Sequence, residues 1–277
     1  MIRLGLAQLA ITGDKQSNLD KIGAAVKDAA ERGARLVVFP EASMSHFGKP
    51  NEPLAPASEP LDGTFVRRLQ SLARKHKVWI LAGMFERIDG DSRVHNTLVL
   101  LRDDGELHGI YRKIHLYDAF GYRESERIAP GNGKTLSFDL DGMRIGAFTC
   151  YDLRFPELAR QLTREGAQAL LLPTAWLAGP LKEMHLLTLL RARAIENTVY
   201  LGAADQCPPG YCGNSVLYDP LGVAVASAGE APCVIVGDID IARVESARAT
   251  NPSLANSRVD LYARWMERLA AGVTPAE

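Results

Sequence analysis

Short apolar runs of strand length alternate with amphipathic stretches of helix length along most of the chain. This alternation confines it to folds in which buried sheets are covered by helices. Ile2 to Leu9 alternates as a strand, Asn18 to Arg32 reads as a helix, and Leu36-Val37-Val38-Phe39 is a strand apolar on both faces. A helix over Gly63 to His76 places Phe65, Val66, Leu69, Leu72 and Ala73 on one face and leads into the strand Val78 to Ala82. Hairpins follow: Asn96 to Leu101 turns at Asp103-Asp104-Gly105 into Glu106 to Tyr111, and Thr135 to Leu140 turns at Asp141-Gly142 into Met143 to Thr149.

A helix over Pro156 to Glu165 starts on a proline, where the missing N–H costs little, and stops at Gly166. The strand Gln168 to Leu172 and the helix Lys182 to Asn197 come next, then strands near Val199 to Ala204, Asn214 to Tyr218, Val223 to Ala226 and Val234 to Asp238. From Arg243 the tail reads as irregular, then helical near Asp260 to Ala270. The mixture predicts α/β architecture, a four-layer α/β/β/α sandwich of two mixed sheets covered by helices. With no Pro-, Gly- or Ser-rich linker and no repeat, residues 1–277 read as one domain, its tail from about 243 packing on the domain or on a partner subunit. A Gly-x-Gly-x-x-Gly turn after the first strand is absent, as is a Gly-x-x-x-x-Gly-Lys-Ser/Thr loop, which argues against Rossmann and P-loop nucleotide binding.

Hydrophobic residues make up 47% of the 277, enough for a full core, and 32 Lys and Arg against 33 Asp and Glu leave a formal charge of -1. That balance offers nucleic acid no basic face. The N-terminus lacks the charged, apolar, small-residue order of a signal peptide, and Pro173, Gly179 and Pro180 interrupt the longest apolar stretch, so the expectation is a cytoplasmic chain that crosses no membrane. Four cysteines, at 150, 207, 212 and 233, are too sparse for a disulfide scaffold. Cys207 and Cys212 are spaced too widely for a zinc knuckle and no matching pair follows, so no metal is expected.

Cys150 ends the apolar strand Arg144 to Thr149 and opens the turn Cys150-Tyr151-Asp152-Leu153-Arg154-Phe155-Pro156-Glu157. Strand carboxyl ends face the crevice where ligands collect, and free N–H groups there suit a thiolate and an oxyanion. A cysteine so placed is either a nucleophile or an ordinary buried thiol; a base and an oxyanion donor nearby would decide. Glu41 follows Val37-Val38-Phe39-Pro40, where lost hydration suits a carboxylate to accept and return a proton, unless it is a solvated loop residue. Lys113 lies just beyond the strand Glu106 to Tyr111, as a surface charge or as a fixed positive donor.

Together, Phe39-Pro40-Glu41, Arg112-Lys113-Ile114-His115-Leu116 and the Cys150 turn resemble the Glu-Lys-Cys triad segments of the nitrilase superfamily of carbon–nitrogen hydrolases. The loop Gly121-Tyr122-Arg123-Glu124-Ser125 with Ala129-Pro130-Gly131, and the helix segment Leu190 to Asn197, extend the resemblance over almost the whole chain. It implies Cys150 as nucleophile, Glu41 as general base and acid, and Lys113 as oxyanion stabiliser helped by the backbone N–H of Tyr151. Glu124 would orient Lys113 or the substrate. The expected reaction is hydrolysis of a small amide, an ω-amide or aliphatic amide, through a thioester on Cys150, releasing ammonia and a carboxylate. Neither metal nor organic cofactor is required. The superfamily's members commonly pair, so a homodimer or higher homo-oligomer is expected.

Cys-Tyr-Asp-Leu-Arg-Phe-Pro-Glu is closer to the Nit-type, ω-amidase-like branch than to the true nitrilases, which commonly carry Trp-Glu after the cysteine. N-carbamoyl amine or nitrile hydrolysis by the same triad are the alternatives; a silent binding protein would not need this thiol and base together, and a redox thiol protein is disfavoured because no Cys-x-x-Cys pair or resolving cysteine accompanies Cys150. Pocket candidates are His46 and Phe47 at the mouth and Thr174, Ala175 and Trp176 after the strand Gln168 to Leu172. Arg154 either holds a substrate carboxylate or pairs with Asp152 or Glu157; the short range favours pairing. Arg193 with Asn197, and Arg160 with Arg164, read as solvated helix faces, and His115 and His185 as structural.

Overall fold

The computed structural model describes residues 1–272. In chain order the first half holds β1 (Ile2–Gln8), α1 (Lys15–Glu31), β2 (Leu36–Val38), α2 (Thr64–His76), β3 (Trp79–Arg87), β4 (Val94–Leu101), β5 (Leu107–Arg112), β6 (Asp118–Ala119) and β7 (Tyr122–Arg123). There follow β8 (Leu136–Leu140), β9 (Met143–Ala147), α3 (Pro156–Arg164), β10 (Ala169–Pro173), α4 (Lys182–Asn197), β11 (Tyr200–Ala204), β12 (Val216–Tyr218), β13 (Ala224–Ser227), β14 (Cys233–Ile239), α5 (Ile241–Thr250) and α6 (Val259–Ala270).

Two six-stranded sheets form, in the orders β14-β1-β2-β3-β4-β5 and β13-β12-β11-β10-β9-β8. Each has three parallel strands at its centre and antiparallel strands at its edges. The centres are β1-α1-β2-α2-β3 and β9-α3-β10-α4-β11, one topology used twice with no sequence repeat to announce it. Strands of a parallel centre are buried on both faces, which is why Leu36-Val37-Val38 and Leu170-Leu171-Leu172 are continuously apolar.

Between the sheets, Leu4, Leu6, Val38, Leu81 and Leu98 belong to one core with Phe138, Ile145, Leu171 and Leu217. On the outer face of the first sheet, Val37, Ile80 and Val99 share a second core with Ile22 and Val26 of α1 and Phe65 and Leu69 of α2. Leu158 and Leu162 of α3 and Leu186 and Leu190 of α4 cover the second sheet. The four-layer α/β/β/α sandwich follows directly.

Three boundaries depart from the sequence reading. α1 starts at Lys15 rather than Asn18, because Asp14 caps it through Gln16 N and Ser17 N, while the Asn18 amide is buried and donates to Thr12 O and Met44 O. The strand expected over Val78 to Ala82 continues to Arg87 because β4 pairs with it along Ile80 to Arg87. The stretch after Arg243 is not irregular: α5 covers it, capped by Asp240 and buried at Val244 and Ala247. The tail expected to reach residue 277 includes 273–277, which lie outside the described residues. Among the described residues no helix is long and apolar enough to cross a membrane.

Candidate active site

Beyond β2 the chain turns through Phe39-Pro40-Glu41 and lies against β3, Phe39 N donating to Leu81 O at 2.8 Å. The approach requires glycine at 83, since a Cβ there would sit 2.5 Å from Ala42 N. Glu41 is 1% exposed, so the solvated-loop alternative does not hold. Its Oε1 accepts from Asn96 Nδ2 at 2.7 Å and Lys113 Nζ at 2.9 Å, its Oε2 from Ala175 N at 3.0 Å, and its carbonyl from Gln206 Nε2 at 2.9 Å. The carboxylate is thereby held from both sheets.

Lys113 leaves β5 with its N–H on Asn96 O (2.9 Å) and its carbonyl accepting from Gly131 N (2.8 Å). At Gly131 a Cβ would meet Arg112 O at 2.1 Å, so this glycine of the Pro130-Gly131 pair sets how closely that loop approaches. Lys113 Nζ contacts Glu41 Oε1 and Glu124 Oε2, each at 2.9 Å, with all three side chains nearly fully buried. Burial alone would lower the lysine's pKa, but the carboxylates of Glu124 and Glu41 hold it well above the ordinary value, so it stays charged. Burial raises the Glu124 carboxyl above its usual range, opposed by Lys113, while its Oε2 also accepts from Tyr117 N at 2.5 Å.

Cys150 follows β9 at a φ of +46°, in the left-handed region, and opens a tight turn over Cys150–Arg154. A non-glycine residue holds that conformation at a cost of about 1–2 kcal/mol, supported here by Asp152. The Asp152 carboxylate, fully buried, accepts from Thr149 N at 3.0 Å, Tyr111 OH at 2.6 Å, His115 N at 3.0 Å and His115 Nδ1 at 2.8 Å. One side chain thus ties the Cys150 turn to the segment that carries Lys113. His115, stacked on Phe155 at 3.8 Å between centroids, is part of this brace.

Burial pushes the Cys150 thiol well above its ordinary pKa, Glu41 adds to this, and Lys113 opposes it only in part. A neutral thiol therefore awaits a base. Burial likewise raises Cys207 to about 11 and Cys212 to about 12, and moves Tyr111 and Tyr211 upward. Unfolded chains release these protons from about pH 8.5 for Cys and about pH 10 for Tyr, so at higher pH the unfolded state binds fewer protons than the folded one. The expected result is a melting temperature that falls as pH rises from 8 to 10.5, measured by calorimetry; an unchanged melting temperature would contradict burial of these groups.

Glu41, Lys113, Glu124, Cys150 and Tyr151 open into a single cavity of about 250 Å³. Phe47, Ala175 and Trp176 also line it, as expected, and so does Arg154; His46 does not. His46 is exposed and its Nδ1 accepts from Gly48 N at 2.8 Å, turning it into the loop's own hydrogen bonding. Thr174 lies behind the wall, fully buried, its hydroxyl beside the Cys150 thiol and without another partner. Arg154 corrects the preference for short-range pairing, because Asp152 is already saturated and no ion pair to Asp152 or Glu157 forms among the described residues. Its guanidinium carbon instead stands 5.0 Å from the Trp176 ring centre and 6.0 Å from Tyr151, with Nε and Nη2 buried and unpartnered. Arg193 and Asn197 are not a solvated face either: both are buried, Arg193 Nε on Leu153 O and Asn197 Nδ2 on Arg193 O.

Sequence reasoning did not find Asn96, which donates to both Glu41 and Glu124, nor Tyr117, Tyr122, Lys182 and Tyr211 of the cavity wall. Tyr211 lies in the Cys207–Cys212 loop, whose sequence carries no pocket signal. Lys182 Nζ donates to Tyr117 OH at 2.9 Å and lies 3.5 Å from the Phe120 ring centre. Asp205 Oδ1 accepts from Trp176 N and Gln206 N, bracing the ends of β10 and β11. Among the described residues no group of His, Cys, Asp and Glu gathers as a metal site.

A neutral thiol, a fixed carboxylate and an ammonium held between two carboxylates can together attack an acyl carbon, move its protons and stabilise the oxyanion. The carbon–nitrogen hydrolase family model matches residues 3–249. Deaminated glutathione amidase of Escherichia coli O157:H7 is 37% identical, the match covering 91% of this chain and 95% of that protein. Omega-amidase NIT2 of Homo sapiens is 31% identical, covering 96% and 98%. Among solved structures, the NitN amidase of Nesterenkonia sp. AN1 superposes with a TM-score of 0.81 at 28% identity, covering 96% of this chain and all of that one. A variant of the Nesterenkonia amidase carries acrylamide added at its active-site cysteine.

Proposed function

The chain belongs to the carbon–nitrogen hydrolase family, and from that premise we propose that it is an amidase whose nucleophile is Cys150, with Glu41 as base and acid and Lys113 as oxyanion donor. The observation that carries the assignment is the buried Glu41–Lys113 pair at 2.9 Å opening with Cys150 into one cavity. Glu41 takes the thiol proton as Sγ bonds to the amide carbon, and Lys113 Nζ with the Tyr151 N–H holds the tetrahedral oxyanion. Collapse breaks the C–N bond, and Glu41 returns its proton to departing ammonia. Water then gives a proton to Glu41 and attacks the thioester, releasing the carboxylic product and the thiol. Glu124 keeps Lys113 charged and in place.

The uncompensated Arg154, with Lys182 near it, supports an ω-amide bearing a carboxylate at its far end over a plain aliphatic amide. Residues 1–277 are read as one such domain, acting in the cytoplasm as a homodimer or higher oligomer. Val259, Trp265, Met266 and Leu269, exposed along α6, support a contact of the tail with a second copy. The test is ammonia release across ω-amides, simple amides, N-carbamoyl amines and nitriles. Glutaramate is expected to be hydrolysed with the highest kcat/KM, and preference for a nitrile or carbamoyl amine would overturn the assignment. A charge-assisted hydrogen bond is worth about 1.5–3 kcal/mol, so R154M should raise KM for glutaramate about 10- to 100-fold and affect uncharged propionamide far less. Equal losses on both would remove Arg154 from the carboxylate's site.

A further inference from the structure

Two segments that form the outer wall of the cavity make few hydrogen bonds of their own to the rest of the fold, although the Phe47 ring packs on Phe85. One is the loop of residues 46–53, mostly exposed and outside any helix or strand, which contributes Phe47, Gly48 and Pro50 to the wall. The other is the β6–β7 hairpin, two residue pairs long, which contributes Tyr122. A two-stranded ribbon of that length has little stability alone, and carbonyls of an irregular loop need partners from elsewhere.

One guanidinium supplies both. Arg127 Nη1 donates to Phe47 O at 2.8 Å, Lys49 O at 3.0 Å and Glu52 O at 2.9 Å. Its Nη2 donates to Tyr122 OH, and its guanidinium carbon lies 5.5 Å from the Tyr122 ring centre. The side chain is 8% exposed and does not line the cavity. Its backbone closes the short turn that begins at Glu124, Arg127 N donating to Glu124 O at 3.0 Å, and Val94 N holds its carbonyl at 3.1 Å. The anchor therefore stands on the β4 side of the site, while its fork reaches both segments of the outer wall. A planar fork can serve a row of carbonyls and a phenol at once; an ammonium on a flexible stem cannot hold that geometry.

We propose that Arg127 is the positioning residue for the outer wall, and that it sets selectivity for the part of the acyl group distal to the amide. This rests on the amidase reading. The reacting carbon lies at Cys150, deep in the cavity, so a displaced wall acts on long substrates through binding and orientation of their far end. Misplacement by about 1 Å costs up to about 100-fold.

The test compares wild type, R127M and R127K on glutaramate and on acetamide, together with hydrogen exchange of the ligand-free proteins. In R127M the ratio of kcat/KM for glutaramate over acetamide should fall about 10- to 100-fold, mainly through KM for glutaramate. Exchange should quicken about tenfold or more at the amides of Gly48, Lys49 and Glu52, whose partners His46 Nδ1, Glu52 Oε2 and Lys49 O lie within the same loop. R127K, which keeps the charge without the fork, should follow R127M. An unchanged ratio, unchanged exchange, or a wild-type-like R127K each overturns the proposal. If wild type hydrolyses neither amide, it is the amidase reading that fails, and the exchange measurement alone then decides whether Arg127 is the clamp.

Discussion

Replacing Cys150 with alanine should lower amide turnover by at least about 10⁴-fold, as loss of a covalent nucleophile does elsewhere. The substitution removes the one atom that can form the thioester and leaves its surroundings in place. Asp152 still braces the turn through Thr149 N, Tyr111 OH and His115, and the Glu41–Lys113 pair does not depend on the sulfur. Circular dichroism and melting near neutral pH should therefore stay close to wild type. A C150A chain with more than about 1% of wild-type activity would mean that a water molecule or another group attacks the amide directly, and the covalent route would be wrong.

Lys113→Met should have the second largest effect, through two separable losses. Removing an oxyanion donor lowers kcat by about 100- to 1000-fold. Removing the ammonium also leaves Glu41 and Glu124, at 1% exposure each, facing one another without their shared cation. Breaking a buried ion cluster in this way costs about 3–5 kcal/mol, so K113M should also melt well below wild type. The double variant K113M/E124Q separates the losses, because it takes away one carboxylate along with the cation. It should recover much of the melting temperature of K113M and none of its activity. If activity returned with stability, Lys113 would be a structural ion and not an oxyanion donor.

The parts of this molecule that could be read from its residues are those in which local sequence and environment agree. Leu36-Val37-Val38 is apolar throughout because both faces are covered, and Glu41 just beyond it is conspicuous because a charge rarely follows such a run. Cys150 was legible for the same reason. Contacts between segments distant in the chain were not: Asn96 sits on an ordinary-looking strand, and only the pairing of β4 between β3 and β5 turns its amide toward Glu41 and Glu124. Arg193 and Asn197 have the spacing of a solvated helix face, yet the second sheet has helices packed on it and Leu153 O needs a donor, so both are buried. The place of Arg154 is not legible in the sequence, because proximity to Asp152 says nothing of Tyr111 and His115, which occupy that carboxylate. The missed helix α5 had a signal in Asp240, an N-cap whose following pattern buries only Val244 and Ala247.

The covalent intermediate is the most direct point of attack on the whole account. Wild-type protein quenched in acid during turnover of glutaramate, digested and mapped by mass spectrometry, should carry the mass of the substrate less ammonia on the peptide containing Cys150. An adduct mapped to any other residue, or undiminished turnover in the C150A chain, would contradict it.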